Sequence, residues 1–176
     1  MRGRSPKRAH GGRPVSCQSL HMGVVVRRAD ASDVDEVVRQ RLAFLSTVRH
    51  HDVEADADFV TSTRQFVEDE VAAERMHSWL AENDGGCIGI VSMLLWSRPP
   101  RPHDRGSRDA YIINMYVVPE HQGNGIGRLL LDTCLATADE FGIGKFLLHT
   151  TDEGRPLYES AGFAANANWL ERPPAS

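Results

Sequence analysis

Two periods of apolar residues divide the chain into elements. Val34, Val37, Val38, Leu42, Leu45 and Val48 recur at helical spacing and draw one stripe, and Asp30, Ser32 and Asp33 stand before it as capping and first-turn residues. Phe59, Val60, Thr63, Phe66, Val67 and Val71 draw a second stripe, and the polar segment His50-His51-Asp52-Val53-Glu54 between the two reads as a loop. Gly23 to Arg28 is a short β-branched run. From Met76 to Ser97 the texture is that of strands, with Ser78 to Ala81 and Cys87 to Trp96 flanking the hairpin-type turn Asn83-Asp84-Gly85-Gly86. Ala110 to Val118 is the strongest strand in the chain, and the Pro- and Arg-rich segment from Arg98 to Arg108 before it is expected to be a loop. Ile126, Leu129, Leu130, Thr133, Cys134, Thr137, Ala138 and Phe141 then trace one helical stripe, stopped by Gly142 and Gly144. Lys145 to Thr150 reads as a strand, Arg155 to Ser160 as a short helix, and Gly162 to Leu170 as a final strand or hairpin. The predicted order is β, α, α, β, β, β, α, β, α, β, without an internal repeat.

The chain has 176 residues, 41% of them apolar and 25% charged, which suits one ordinary core and is short for two. The expected organisation is a flexible basic tail over residues 1–22, one domain over residues 23–171, and a frayed end over residues 172–176, where Pro173 and Pro174 bar regular structure. The tail lacks the continuous apolar core of a secretory signal, and no stretch approaches the roughly 18 apolar residues of a bilayer span. With 20 basic and 24 acidic residues the net charge is −4. That balance exerts no pull toward a phosphate backbone, so neither nucleic acid nor membrane is an expected partner. Cys17, Cys87 and Cys134 are too few and too scattered for a disulfide framework or a metal knot, and they fit a reducing cytoplasm.

The most informative segment runs Val117-Val118-Pro119-Glu120-His121-Gln122-Gly123-Asn124-Gly125-Ile126-Gly127-Arg128, between a strong strand and a strong helix. A strand, a glycine turn and a helix N-terminus make an anion site, because the first helical turn leaves N–H groups unpaired and the helix dipole adds positive potential there. Glycine admits the positive φ such a turn requires. The turn ends Gly-Ile-Gly-Arg rather than Gly-Lys-Ser/Thr, which sets aside a nucleotide P-loop, and its G-x-G-x-G spacing departs from the dinucleotide fingerprint.

The fuller pattern V-x-P-x-x-Q-G-x-G-x-G resembles the acetyl-CoA-binding signature of the GCN5-related N-acetyltransferase (GNAT) superfamily, Q/R-x-x-G-x-G/A, with Gln122, Gly125 and Gly127 in its defined positions. Leu157-Tyr158-Glu159-Ser160-Ala161-Gly162-Phe163 is similar to the superfamily's L-Y-x-x-x-G-F segment. The resemblance covers residues 24–170. It implies a mixed α/β (α+β) fold: a central twisted, mostly antiparallel sheet with a splayed strand pair and flanking helices.

The resemblance also places functional residues. Pantetheine is expected in the gap beside the splayed strand, pairing with backbone at Met115, Tyr116 and Val117. The pyrophosphate is expected on main-chain N–H groups of Gln122, Gly123, Asn124, Gly125, Ile126 and Gly127, with Arg128 either as a further phosphate contact or as a salt-bridged surface residue. Relatives often use an Asn for pantetheine seven residues before the tyrosine, where this chain has Thr151. Tyr158 corresponds to the tyrosine that protonates the departing thiolate in many relatives, a task its neutral hydroxyl can perform, the alternative being mere packing. The glutamate that some relatives use as base is replaced by Phe146, which leaves Asp109, Asn114 and His149 as candidates to accept the amine proton or to orient it. The backbone N–H near Met115 to Val117 is expected to polarise the thioester carbonyl.

The expected activity is therefore a direct, metal-free transfer of acetyl from acetyl-CoA to a primary amine of a small molecule, amino-acid-like or an antibiotic. A homodimer is compatible with it. Two rivals stand beside it: acetylation of a protein lysine or N-terminus, and a non-catalytic acyl-CoA-binding regulator on the same fold.

Overall fold

In a computed structural model, residues 23–50, 52–100, 102, 107–166, 170 and 172 are described. Five strands form one sheet in chain order: β1 (Val25–Arg28), β2 (Met76–Asn83), β3 (Gly86–Ser97), β4 (Arg108–Val117) and β5 (Ile143–Leu147). The first four are antiparallel to their neighbours, and β5 runs parallel to β4. The β2–β3 connection is the expected tight turn. Asn83 pairs with Gly86, the Asn83 side chain accepts from the Gly85 N–H at 2.9 Å, and Gly86 adopts φ +112°.

Helices cover both faces. The turn before α1 (Val34–Arg49) carries a capping box in which the Asp30 side chain accepts from the Ser32 N–H and Asp33 accepts from the Asp30 N–H. Asp56 caps α2 (Ala57–Ala72) by accepting from the Phe59 N–H at 3.0 Å. These two helices bury Val37, Val38, Leu42 and Val67 against Met76, Leu80 and Ile90 of the sheet. On the opposite face α3 (Ile126–Leu135) buries Ile126, Leu130, Leu131 and Cys134 against Trp79, Val91, Met93, Ala110 and Ile112.

The expected order holds through α5 (Arg155–Ser160), with three differences. The stripe from Ile126 to Phe141 is two helices, because the Thr137 hydroxyl and N–H both turn back to the Cys134 carbonyl and break the helical ladder between α3 and α4 (Ala138–Phe141). The strand expected at Lys145 to Thr150 begins two residues earlier and ends at Leu147, so His149 and Thr150 lie in the following loop. Phe163 to Asn166 and Leu170 form no strand, in keeping with the weak strand propensity of the Ala- and Asn-rich sequence there. Residues 167–169 of that expected strand, the tail over residues 1–22, His51, and Arg101 and Arg105 of the arginine-rich loop lie outside the described residues. So do residues 173–176 of the expected frayed end.

Candidate active site

Two irregularities in β4 create the site. β4 pairs with β5 at Arg108–Ile143, Ala110–Phe146 and Tyr111–Leu147, and from Ile112 onward no strand among the described residues pairs with it on that side. The free half therefore presents a row of backbone groups able to accept an added strand. The ladder with β3 also skips: Ile90 faces Tyr116 and Ser92 faces Ile113, so Asn114 and Met115 together oppose Val91. This is a β-bulge, and Asn114 takes φ +52° in it, a conformation that asparagine tolerates better than most residues. The expected splay is thus present, and Met115, Tyr116 and Val117 lie on its open edge.

The glycine turn follows directly. Gln122 Nε2 donates to the Val117 carbonyl at 2.9 Å and ties the turn to the end of β4. Gly123 and Gly125 each adopt φ +77°, and Gly125 is the residue from which α3 starts. Among the described residues, none of the backbone N–H groups from Gly123 through Arg128 has a protein acceptor. Such a row of uncommitted donors at a helix start suits a pyrophosphate. Gly127 is helical, and a Cβ there would meet Leu157 at an ordinary 3.6 Å, so its role differs from that of Gly125. Arg128 pairs with Asp132 at 2.8 Å and reaches the Ser160 hydroxyl at 3.2 Å, both on the surface.

Beyond the end of β5 lies a cavity of about 700 Å³ lined in part by Trp96, Tyr111, Phe146, His149, Tyr158 and Phe163. Tyr158 is 7% exposed and packs edge-on against Phe163, and burial pushes its hydroxyl pKa up to about 12. It is a neutral donor at every physiological pH. His149 Nδ1 is hydrogen-bonded to the Tyr111 hydroxyl, which holds the imidazole at the point where β4 and β5 part. Thr151, standing where relatives carry asparagine, turns its hydroxyl to the loop before α5 and accepts from the Gly154 N–H at 3.2 Å.

The other two candidates are committed to structure. Asp109 accepts from Arg98 Nε at 2.6 Å in an ion pair whose side chains are only 4% and 6% exposed. The buried Asn114 side chain accepts from Arg41 Nη1 at 2.7 Å and donates to Ser92 Oγ at 3.4 Å. In the sequence Arg98 stood out only as one of the loop arginines, and Arg41 was not named. The pairing of Arg98 with Asp109 leaves no trace in the local pattern, whereas Arg41 falls on the apolar stripe of α1, four residues after Val37 and before Leu45, where a charge is out of place. Burial pushes the thiols of Cys87 and Cys134 up to about 12, so neither is an activated nucleophile. Among the described residues no three His, Cys, Asp or Glu side chains gather at metal-binding distance, and no helix is long and apolar enough to cross a membrane.

Residues 42–163 match the profile of the Acetyltransferase (GNAT) family, and the chain belongs to that family. It is an acyltransferase. A predicted acetyltransferase from Clostridium acetobutylicum, solved with acetyl-CoA, superposes with a TM-score of 0.76 at 29% identity over 85% of this chain and 96% of that one. A GCN5-related N-acetyltransferase from Ralstonia eutropha superposes with the same TM-score of 0.76 at 27% identity, covering 88% of this chain and all of that one. Among curated proteins, the probable N-acetyltransferase family 8 member 5 of Mus musculus is 28% identical over 96 residues. That match takes in 53% of this chain and 40% of the mouse protein, so the chain matches less than half the length of that relative.

Proposed function

We propose that this acyltransferase moves acetyl from acetyl-CoA directly to the primary amine of a small molecule while both are bound. The observation that carries the reading is the run of uncommitted N–H groups from Gly123 to Arg128 at the foot of a strand whose outer half is unpaired. This geometry fits pyrophosphate at the turn and an extended amide chain along Met115 to Val117. The Clostridium relative solved with acetyl-CoA supports the same donor.

The chain's residues then divide the labour. Backbone N–H near the bulge polarises the thioester carbonyl. With Nδ1–H donated to the Tyr111 oxygen, His149 Nε2 is a free acceptor and takes a proton from the acceptor ammonium, which frees the nitrogen lone pair for attack. The neutral amine nitrogen bonds to the carbonyl carbon, the carbon–sulfur bond breaks, Tyr158 donates its proton to the leaving thiolate, and the second proton that the nitrogen sheds as the amide forms returns to Tyr158 through solvent. Asp109 holds Arg98, and Asn114 sets the bulge, so both position the site rather than move protons. The cavity of about 700 Å³ suits a compact amine, and the free thiols of Cys87 and Cys134 suit a cytoplasmic enzyme.

Calorimetry with acetyl-CoA, followed by coenzyme A thiol release across a panel of small amines and amine-bearing peptides, tests the reading. The expected result is binding together with turnover on small amines. Faster turnover on peptides assigns a protein acceptor, and binding without turnover on any amine assigns a regulator.

A further inference from the structure

Arg41 is half-buried on α1, and burial lowers its pKa from the usual arginine value. Its protein partner is the neutral amide oxygen of Asn114, at 2.7 Å from Nη1. Asn114 is held in turn by Ser92, whose hydroxyl lies 2.7 Å from that of Ser78, so a row of buried polar side chains crosses β4, β3 and β2 and fixes one end of the guanidinium.

No carboxylate among the described residues pairs with Arg41. The contrast with other arginines is sharp: Arg27 holds Asp33 and Glu82, Arg39 holds Glu36, Arg64 holds Asp35, Arg75 holds Glu70, and the buried Arg98 holds Asp109. A guanidinium withdrawn from water toward a protein interior is ordinarily paired with an anion, because desolvation of the charge is otherwise uncompensated. Among the described residues Arg41 Nε and Nη2 have no acceptor, and they are not sealed from solvent, so their donors stay available to something that enters. The place they occupy is defined: Asn114 is the bulge residue of β4, where the strand has already parted from β5.

We infer that Arg41 is the anion receptor of the acceptor site, binding the carboxylate of a short amino acid whose amine is acetylated at the β4 bulge. The inference rests on the acetyltransferase reading above. A planar guanidinium with two free donor nitrogens suits a carboxylate, and Asn114 sets the angle at which the carboxylate meets it. Because Arg41 is one hydrogen bond from the bulge, carboxylate and amine must lie close together in the acceptor, which selects amino acids over polyamines.

The test compares matched pairs that differ by the carboxylate: phenylalanine with phenethylamine, tyrosine with tyramine, and lysine with cadaverine. kcat/KM for coenzyme A thiol release is measured in the native protein, Arg41→Met and Arg41→Lys, with folding checked by circular dichroism and acetyl-CoA binding by calorimetry. The native protein is expected to favour the carboxylated members by about tenfold or more, and Arg41→Met to erase that ratio by a factor of about 10 to 100, the range of a lost charged hydrogen bond. Arg41→Lys recovers part of the ratio. Equal losses for both members of each pair, or release only from amines without a carboxylate, overturn the inference and leave the acetyltransferase reading standing. A loss confined to acetyl-CoA affinity assigns Arg41 to the donor instead and also overturns it. Thiol release from none of the amines by folded, acetyl-CoA-binding protein defeats the acetyltransferase reading itself.

Discussion

Arg98 and Asp109 close the β3–β4 connection by an ion pair of 2.6 Å in which both side chains are almost wholly buried. A carboxylate in that position is committed to its guanidinium. Asp109→Asn is therefore expected to destabilise the fold by about 3–5 kcal/mol, the cost of leaving a buried partner charge uncompensated, while the turnover of the folded fraction stays close to native. Denaturant unfolding measured beside active-site-normalised turnover checks this. A stable but inactive variant would return Asp109 to the list of candidate bases.

Gly125 adopts φ +77°, and a Cβ built there meets no atom within 4 Å, so substitution is opposed by backbone conformation rather than by crowding. Gly125→Val is expected to distort the turn and weaken acetyl-CoA binding at least tenfold by calorimetry. Gly127→Ala, at a helical position with ordinary contacts, is expected to fold with native stability.

Tyr158→Phe keeps the ring packed on Phe163 and removes only the proton. Turnover is expected to fall about 100-fold, the scale of general acid catalysis, with the acetyl-CoA KM nearly unchanged. Since the hydroxyl pKa is pushed up to about 12, turnover of the native protein should keep rising above pH 9 as the acceptor amine deprotonates. A descending limb between pH 9 and 10 would contradict this assignment.

His149→Gln retains a polar group beside Tyr111 and removes the proton-accepting ring nitrogen. kcat/KM is expected to fall about 100-fold at neutral pH, and the loss should shrink at high pH, where the acceptor arrives already neutral. A loss of the same size at every pH would leave His149 a purely structural partner of Tyr111.

Alkaline stability follows from the buried groups. Cys134 ionises near pH 9 in the unfolded chain and near 12 in the fold, and Tyr158 near 10 and 12, so above pH 9 the folded state holds more protons than the unfolded state. Stability must therefore fall as pH rises through that window, and the contribution is fully present below it. Melting temperature against pH checks the sign, and Cys134→Ala should flatten the slope that begins near pH 9.

Local devices were legible in the sequence, and long-range ones were not. The capping residues Asp30 and Asp33, the turn at Asn83 to Gly86, and the glycine turn before α3 act over a few residues, so their chemistry is visible in the residues themselves. The break at Thr137 was hidden because its apolar neighbours continue the helical period across it. Arg41 reaches an asparagine 73 residues away, and nothing in local pattern names that partner; only the charge on an apolar stripe hinted at a special role. The buried state of Asp109 was equally invisible, since it comes with an ion pair to an arginine eleven residues back, next to the far end of the neighbouring strand, which no local pattern names.

The bulge at Asn114 has a further consequence for how the site relates to its scaffold. Ala110 and Ile112 face the α3 core from even-numbered positions, whereas Met115 and Val117 face the same core from odd-numbered ones, so the inside–outside phase of β4 changes at this residue. Deleting Asn114 alone would bring the two halves into phase: every core side chain would keep its side, and the strand would become regular. The irregularity at this point is thus a single inserted position, and one codon lies between the bulged strand and a regular one.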